Sequence, residues 1–167
     1  EAVNALKQHS FLESPFTIQS FIEGKGQGVF ALYDRGRPVC FFAHRRLREK
    51  PPGGGVSVLC ESAPVPENLK KYAKTLLDAA AWHGVAMVEF RVTPQGEPYL
   101  MEINTRFWGS LQLAIDSGVD FPYWLYKITT GKQIGFLPSQ KYRKVRWLLG
   151  DLDRLYLVLK APLSSYS

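Results

Sequence analysis

Between Gly84 and Asn104 the chain reads GVAMVEFRVTPQGEPYLMEIN, and this stretch limits the fold more than any other. Two strand-like runs, about 85–93 and 98–103, flank TPQGEP, a segment whose Pro and Gly residues favour a turn. A hairpin mirrored about the Gln95–Gly96 bond sets Glu89 directly opposite Glu102, with Asn104 as a diagonal neighbour on the same face. Ala86, Val88, Phe90 and Val92 then occupy the other face and pack against helices. Directly opposed side chains place their Cβ atoms about 4.5–5.5 Å apart, where like charges repel. Three remedies exist: a shared proton, nearby protein cations, or a bound metal. An amide beside two carboxylates is an all-oxygen set, which suits magnesium or manganese rather than zinc. The alternative is a solvated hairpin face with unrelated charges, and a bulge in either strand would break the register.

The surrounding elements predict an α+β fold, a mainly antiparallel sheet packed against helices. Residues 2–9 continue a helix. FTIQSFI (16–22), QGVFALYD (27–34), RPVCFFAHRRL (37–47) and VSVLCES (56–62) read as strands, with DRGR as a turn. REKPPGGG (48–55) reads as a loop, because two prolines and three glycines suit neither helix nor central strand. Leu69, Tyr72, Ala73, Leu76, Leu77 and Ala80 form the apolar stripe of a helix lying on a sheet, which Gly84 can end in a left-handed cap. Short helices start near Ser110, with Gly118 as a stop, and near Pro122. In the tail, Leu148, Leu152, Leu155 and Leu159 share one helical face. A docked core helix is the expectation there, over a membrane-surface helix, because the segment carries few positive charges.

Lys and Arg outnumber Asp and Glu 21 to 15, a net charge of +6 that suits nucleic acid or a small polyanion such as a nucleoside triphosphate. The densest basic cluster, HRRLREK (44–50), is short and follows a strand, so it fits a point contact better than a nucleic-acid track. No stretch has the unbroken apolar length of a membrane span. Cys40 and Cys60 lack metal-type spacing and read as reduced core thiols, which points to the cytoplasm. No Ser–His or Cys–His pairing is visible, so no covalent enzyme intermediate is expected.

The MVEF…LMEINTRFWGS combination resembles the metal-binding end of the ATP-grasp superfamily, and the nearest similarity is to bacterial carboxylate–amine ligases. The resemblance runs from about residue 15 to about 131. It implies ATP and Mg2+ (or Mn2+) as cofactors, with small-molecule carboxylate and amine substrates joined through an acyl phosphate. Glu89, Glu102 and Asn104 match the family's magnesium ligands. Arg106 matches an arginine that contacts the transferred phosphate or carboxylate, and Arg46 matches a phosphate-contacting lysine. IQSFIEG (18–24) is similar to the adenine-clasping hinge. There Gln19 stands for an acid, Ser20 and Ile22 offer backbone, Phe21 packs inward, and Glu23 is the ribose candidate. Met87 replaces an arginine frequent in the D-alanine ligase branch.

The eighteen residues before Gln19 are too few for the upstream subdomain of such enzymes. The chain therefore reads as one C-terminal ATP-grasp subdomain fragment with a helical tail near 145–160, whose partners include the N-terminal domains of the same enzyme. A homodimer is compatible with this reading; nucleic-acid and membrane partners are not expected. Two other classes are a non-catalytic nucleotide-binding or interaction module and an RNA-binding α+β domain. The latter lacks the aromatic strand of a recognition-motif sheet. Phe107, Trp108 and Ser110 fall either to packing under a loop or to an acceptor pocket.

Overall fold

The structure, a computed structural model, describes residues 17–52, 55–135 and 138–160. The helix expected over 2–9 lies outside these residues, as do Phe16 and two of the three loop glycines. Six strands form one sheet: β1 (Lys25–Asp34), β2 (Arg37–Lys50), β3 (Val56–Ala63), β4 (Gly84–Val92), β5 (Pro98–Asn104) and β6 (Lys144–Arg146). Their order is β5-β4-β1-β2-β3-β6 and every pairing is antiparallel. The described residues also contain four helices: α1 (Glu67–Ala79), α2 (Leu111–Asp116), α3 (Phe121–Thr129) and α4 (Leu148–Lys160). The α+β expectation holds.

The alternation of β1 explains how helices cover both faces of the sheet. Val29, Ala31 and Tyr33 point to one side, where they meet Leu69, Ala73 and Leu77 of α1 and Ala86, Val88 and Phe90 of β4. Phe30 and Leu32 point to the other side, against Phe42, Met87, Trp108 and residues of α2 and α3. The apolar stripe of α1 is thus the predicted one, although Tyr72 and Ala80 are exposed.

Several boundaries differ from the sequence reading, each for a local reason. Residues 17–23 are not a strand and run outside the sheet. β2 continues to Lys50 through residues read as loop, because Glu49 and Lys50 pair with Ser57 and Val56. The left-handed residue after α1 is Ala81 (φ 45°), whose N–H donates to the Asp78 carbonyl (2.9 Å); Gly84 instead opens β4 opposite Tyr33. Among the described residues no helix is long and apolar enough to cross a membrane.

The tail departs most. α4 lies against β2 and β3, but Leu148, Leu152, Leu155 and Leu159 face outward and are at least half exposed. Its docking is ionic, through Asp151 and Asp153, because the acids sit on the helix face turned to the basic end of β2.

Cys40 and Cys60 are free thiols, and burial pushes Cys40 up to about 12. Glu61 is almost wholly buried at the β3–β6 edge. Hydrogen bonds from the Tyr142 hydroxyl and the Arg45 guanidinium outweigh burial, and with Lys144 (3.2 Å) they hold its carboxyl down at about 2.

Two outcomes follow from this packing. Phe30→Ala removes a ring buried against Phe42, His44 and Trp108, and urea denaturation should show a loss of about 3–5 kcal/mol. Glu61 contributes stability that is complete above its unfolded value near 4.5 and disappears as pH falls toward about 2. Urea midpoints between pH 5 and pH 2 should therefore fall more steeply for the wild type than for Glu61→Gln.

Candidate functional site

β4 and β5 place Glu89 opposite Glu102, as the mirrored hairpin predicts. The route to that register was not foreseen. Nearer the turn, Phe90 pairs with Leu100, Arg91 with Tyr99 and Val92 with Pro98, one residue out of mirror register. A bulge at Met101 restores it, and Glu89–Glu102, Val88–Ile103 and Met87–Asn104 then follow in step. Gly96, at φ 89°, completes the turn by donating to the Thr93 carbonyl (2.9 Å).

Glu89 shares its sheet face with Arg46 of β2, and the two meet across β1. The Arg46 Nη2 donates to Glu89 Oε1 at 2.6 Å, and Nη1 donates to Glu49 Oε1 at 3.2 Å. Gly26 is the window for this contact, since a Cβ there would stand 3.2 Å from Arg46 Nη1 and 3.8 Å from Glu89 Oε1. Burial alone would weaken the charge of Arg46. The carboxylates of Glu89 and Glu49 reverse that effect and hold the guanidinium above its ordinary value. Of the three remedies for opposed acids, the structure thus shows a protein cation at Glu89. On the neighbouring strand, Asn104 Nδ2 donates to Glu102 Oε1 at 2.6 Å.

Arg46, Glu49, Glu89 and Glu102 line a groove of about 560 Å3 together with Gln19 and Gly26, and Asn104 lies outside that lining. The donor chemistry fits a hard divalent cation: two carboxylates on opposed strands, with an amide two residues along. Among the described residues no three His, Cys, Asp or Glu side chains cluster around a metal position. The candidate set is therefore two carboxylates plus the Asn104 amide, not a cage of three acids. Water and phosphate oxygens commonly complete such a shell for magnesium.

The other predicted residues divide. Gln19 reaches the groove. Ser20 and Glu23 are exposed and Ile22 is half-buried. Phe21 does not pack inward: it is 87% exposed, and no strand among the described residues lies beside 17–23 to cover it. Arg106 lies beyond the end of β5, exposed, outside the groove lining, and donates to the Phe107 carbonyl at 3.2 Å.

A Ser–His pair that sequence reading missed lies on the same face. His44 Nδ1 and Ser110 Oγ are 2.9 Å apart. Burial, then the neighbouring Arg46, lowers His44 to about 3, so its ring is neutral at physiological pH. Ser110 leaves the N-terminus of α2 without a side-chain cap. The signal available was the alternation of β2, which puts His44 and Arg46 on one face. Trp108 packs on Phe30 with ring centroids 4.3 Å apart and is buried, which favours the packing alternative for that residue.

The sequence matches the family model described as "ATP-grasp in the biosynthetic pathway with Ter operon" over residues 13–150, and the chain belongs to this ATP-grasp family. None of the curated proteins matches it. Solved structures share its fold. The phosphoribosylaminoimidazole carboxylase ATPase subunit from Aquifex aeolicus is 16% identical with a TM-score of 0.63, covering 76% of this chain and 39% of that one. The biotin carboxylase domain of the Hydrogenobacter thermophilus 2-oxoglutarate carboxylase, in complex with MgADP, ADP and bicarbonate, is 20% identical with a TM-score of 0.54, covering 72% and 27%. The L-amino acid ligase from Bacillus licheniformis is 18% identical with a TM-score of 0.53, covering 74% and 35%. The chain thus spans well under half the length of these relatives.

The two acids differ in setting, and their variants should separate. Glu89→Gln takes the countercharge from a largely buried Arg46 and should cost about 1–3 kcal/mol in urea denaturation. Glu102→Gln, on an exposed edge strand, should cost nothing measurable. Equal losses would contradict the assignment of Arg46 to Glu89.

Proposed function

We propose that this chain is the nucleotide- and magnesium-binding part of an ATP-dependent ligase that joins a carboxylate to an amine or thiol through an acyl phosphate. The observation that carries this reading is the Glu89–Glu102 pairing on a sheet face shared with Arg46, within an ATP-grasp chain. Support also comes from one structural relative, a biotin carboxylase domain in complex with MgADP, and from another that is an L-amino acid ligase.

In this reading Glu89, Glu102 and the amide oxygen of Asn104 hold Mg2+, with Mn2+ as a substitute. The bound ion supplies charge neutralisation at the β- and γ-phosphates. The chain's own residues do the remaining work. Arg46, already fixed between Glu89 and Glu49, sits where a phosphoryl group at the acids would need a countercharge. Gln19 borders the groove as the adenine-side contact, and the family match assigns the backbone of Ser20 and Ile22 to the ring edge. Glu23 takes the ribose side. Arg106, outside the groove lining at the free end of β5, is assigned by the family match alone to the acyl phosphate or its carboxylate precursor.

In the chemistry, a carboxylate oxygen attacks the γ-phosphorus and ADP leaves. The nucleophile then attacks the acyl carbon and inorganic phosphate leaves. The nucleophile's proton passes to solvent, and no bond to the protein is made.

Calorimetric titration with ATP, in excess Mg2+ and then in EDTA, tests this reading. Binding should weaken at least tenfold without the cation, and Glu89→Gln/Glu102→Gln should abolish the difference. ATP affinity indifferent to Mg2+ would leave a nucleotide-binding module without this cation site and sink the ligase reading.

A further inference from the structure

The sheet is forked. β1 pairs with β2 only from Val29 to Asp34, opposite Ala43 to Arg37. Lys25–Gly28 keep β4 as their one strand partner, and residues 44–50 of β2 keep only β3. Between the prongs lies a gap of about 570 Å3 whose lining includes Gly26, Gly28, His44 and Arg48. Beyond the fork β2 and β3 form a two-stranded arm, and a ribbon of two strands is marginal by itself. Arg46 and Glu49 ride on this arm, whereas Glu89 belongs to the other prong.

β6 holds the outer edge of the arm, at Leu59–Glu61. α4 supplies the second hold. Asp151, with its side chain 3% exposed, accepts from Arg48 Nη1 at 2.5 Å and from Arg146 Nε at 2.7 Å. Arg154 Nε donates to the Glu49 carbonyl at 3.1 Å, and Lys50 reaches Asp153 at 2.6 Å. Gly150 makes the turn into α4 feasible, since a Cβ there would stand 2.3 Å from the Trp147 ring. Burial opposes the charge of Asp151, but the bonds from Arg48 and Arg146 outweigh it and keep the carboxyl below its usual range.

A continuous path therefore runs from Asp151 to Arg48, along the strand to Glu49, and through Arg46 to Glu89. Asp151 lies just beyond the residues matched by the family model.

We propose that Asp151 is a positioning residue: by fixing Arg48 it holds the β2–β3 arm at the angle from which Arg46 spans the fork to Glu89. Its geometry stands alone; its consequence for nucleotide binding rests on the reading of the previous section. With the lock removed, the arm swings and Arg46 leaves Glu89. A phosphate-bearing ligand then loses its countercharge, while a bare cation finds Glu89 freed of a competitor. A general loss of structure would weaken both ligands together.

The test uses the full 167-residue chain with Asp151→Asn, and Arg48→Gln as a second variant that leaves Arg146 on the acid. Amide hydrogen exchange over residues 45–50 should quicken at least tenfold, with the Val29–Leu32 and Val85–Val88 amides unchanged. Mg-ATP affinity should fall five- to tenfold, while affinity for Mn2+ alone should hold or tighten. Asp153→Asn, at an exposed pair, should change each by less than twofold. Unchanged exchange over 45–50 in both variants would overturn the proposal, as would a parallel loss of Mn2+ and Mg-ATP binding. If the wild-type chain binds no Mg-ATP, the ligase reading fails, and the exchange measurement alone decides whether Asp151 locks the arm.

Discussion

The ion pair between Arg46 and Glu89 is the contact on which the site depends. It joins two parts of the sheet that have no backbone bonds to each other, since the first four residues of β1 and the last seven of β2 go separate ways. It also settles the electrostatic problem set by two acids on opposed strands. Glu89 has a guanidinium on one oxygen, which offsets part of the acids' charge within the protein. A divalent cation would then enter a site that is already organised, with only part of its charge left to neutralise. Gly26 leaves room for the Arg46–Glu89 contact, since a Cβ there would sit tightly against the guanidinium at 3.2 Å.

Much of this was legible in the sequence. Alternation in the 84–104 stretch assigned Ala86, Val88 and Phe90 to the helix-covered face and Glu89 to the other, and the structure agrees. The 3.6-residue stripe of α1 was equally plain, because Leu69, Ala73 and Leu77 obey a period that few other arrangements produce. The Glu89–Glu102 register was right for an incomplete reason: an off-centre turn and the Met101 bulge compensate each other. A bulge leaves no clear mark in sequence, since Met101 is as good a strand residue as its neighbours.

The misses share a cause: local pattern does not say what lies opposite. Residues 48–50 open a segment that its prolines and glycines mark as loop, yet strand pairing within 56–59 and ion pairs to α4 keep them extended. The leucine face of α4 has the period of a buried stripe, but the acids on the other face found Arg48 and Lys50 first, and the leucines point outward. TIQSF (17–21) has β-propensity, but no strand edge among the described residues pairs with it. The His44–Ser110 contact joins residues 66 apart in the chain, which spacing cannot reveal. The fold family was readable because its motif is compact in sequence. The arm and its brace were not, since they exist only through long-range charges.

The claim that Glu89, Glu102 and Asn104 form a cation site beside Arg46 is tested most directly by paramagnetic broadening. Mn2+ titrated with ADP into the isotopically labelled chain should broaden the resonances of Gly26, Arg46, Glu89, Glu102 and Asn104 first, leaving α1 sharp. Broadening centred elsewhere, or spread evenly over the exposed acids, would contradict the account.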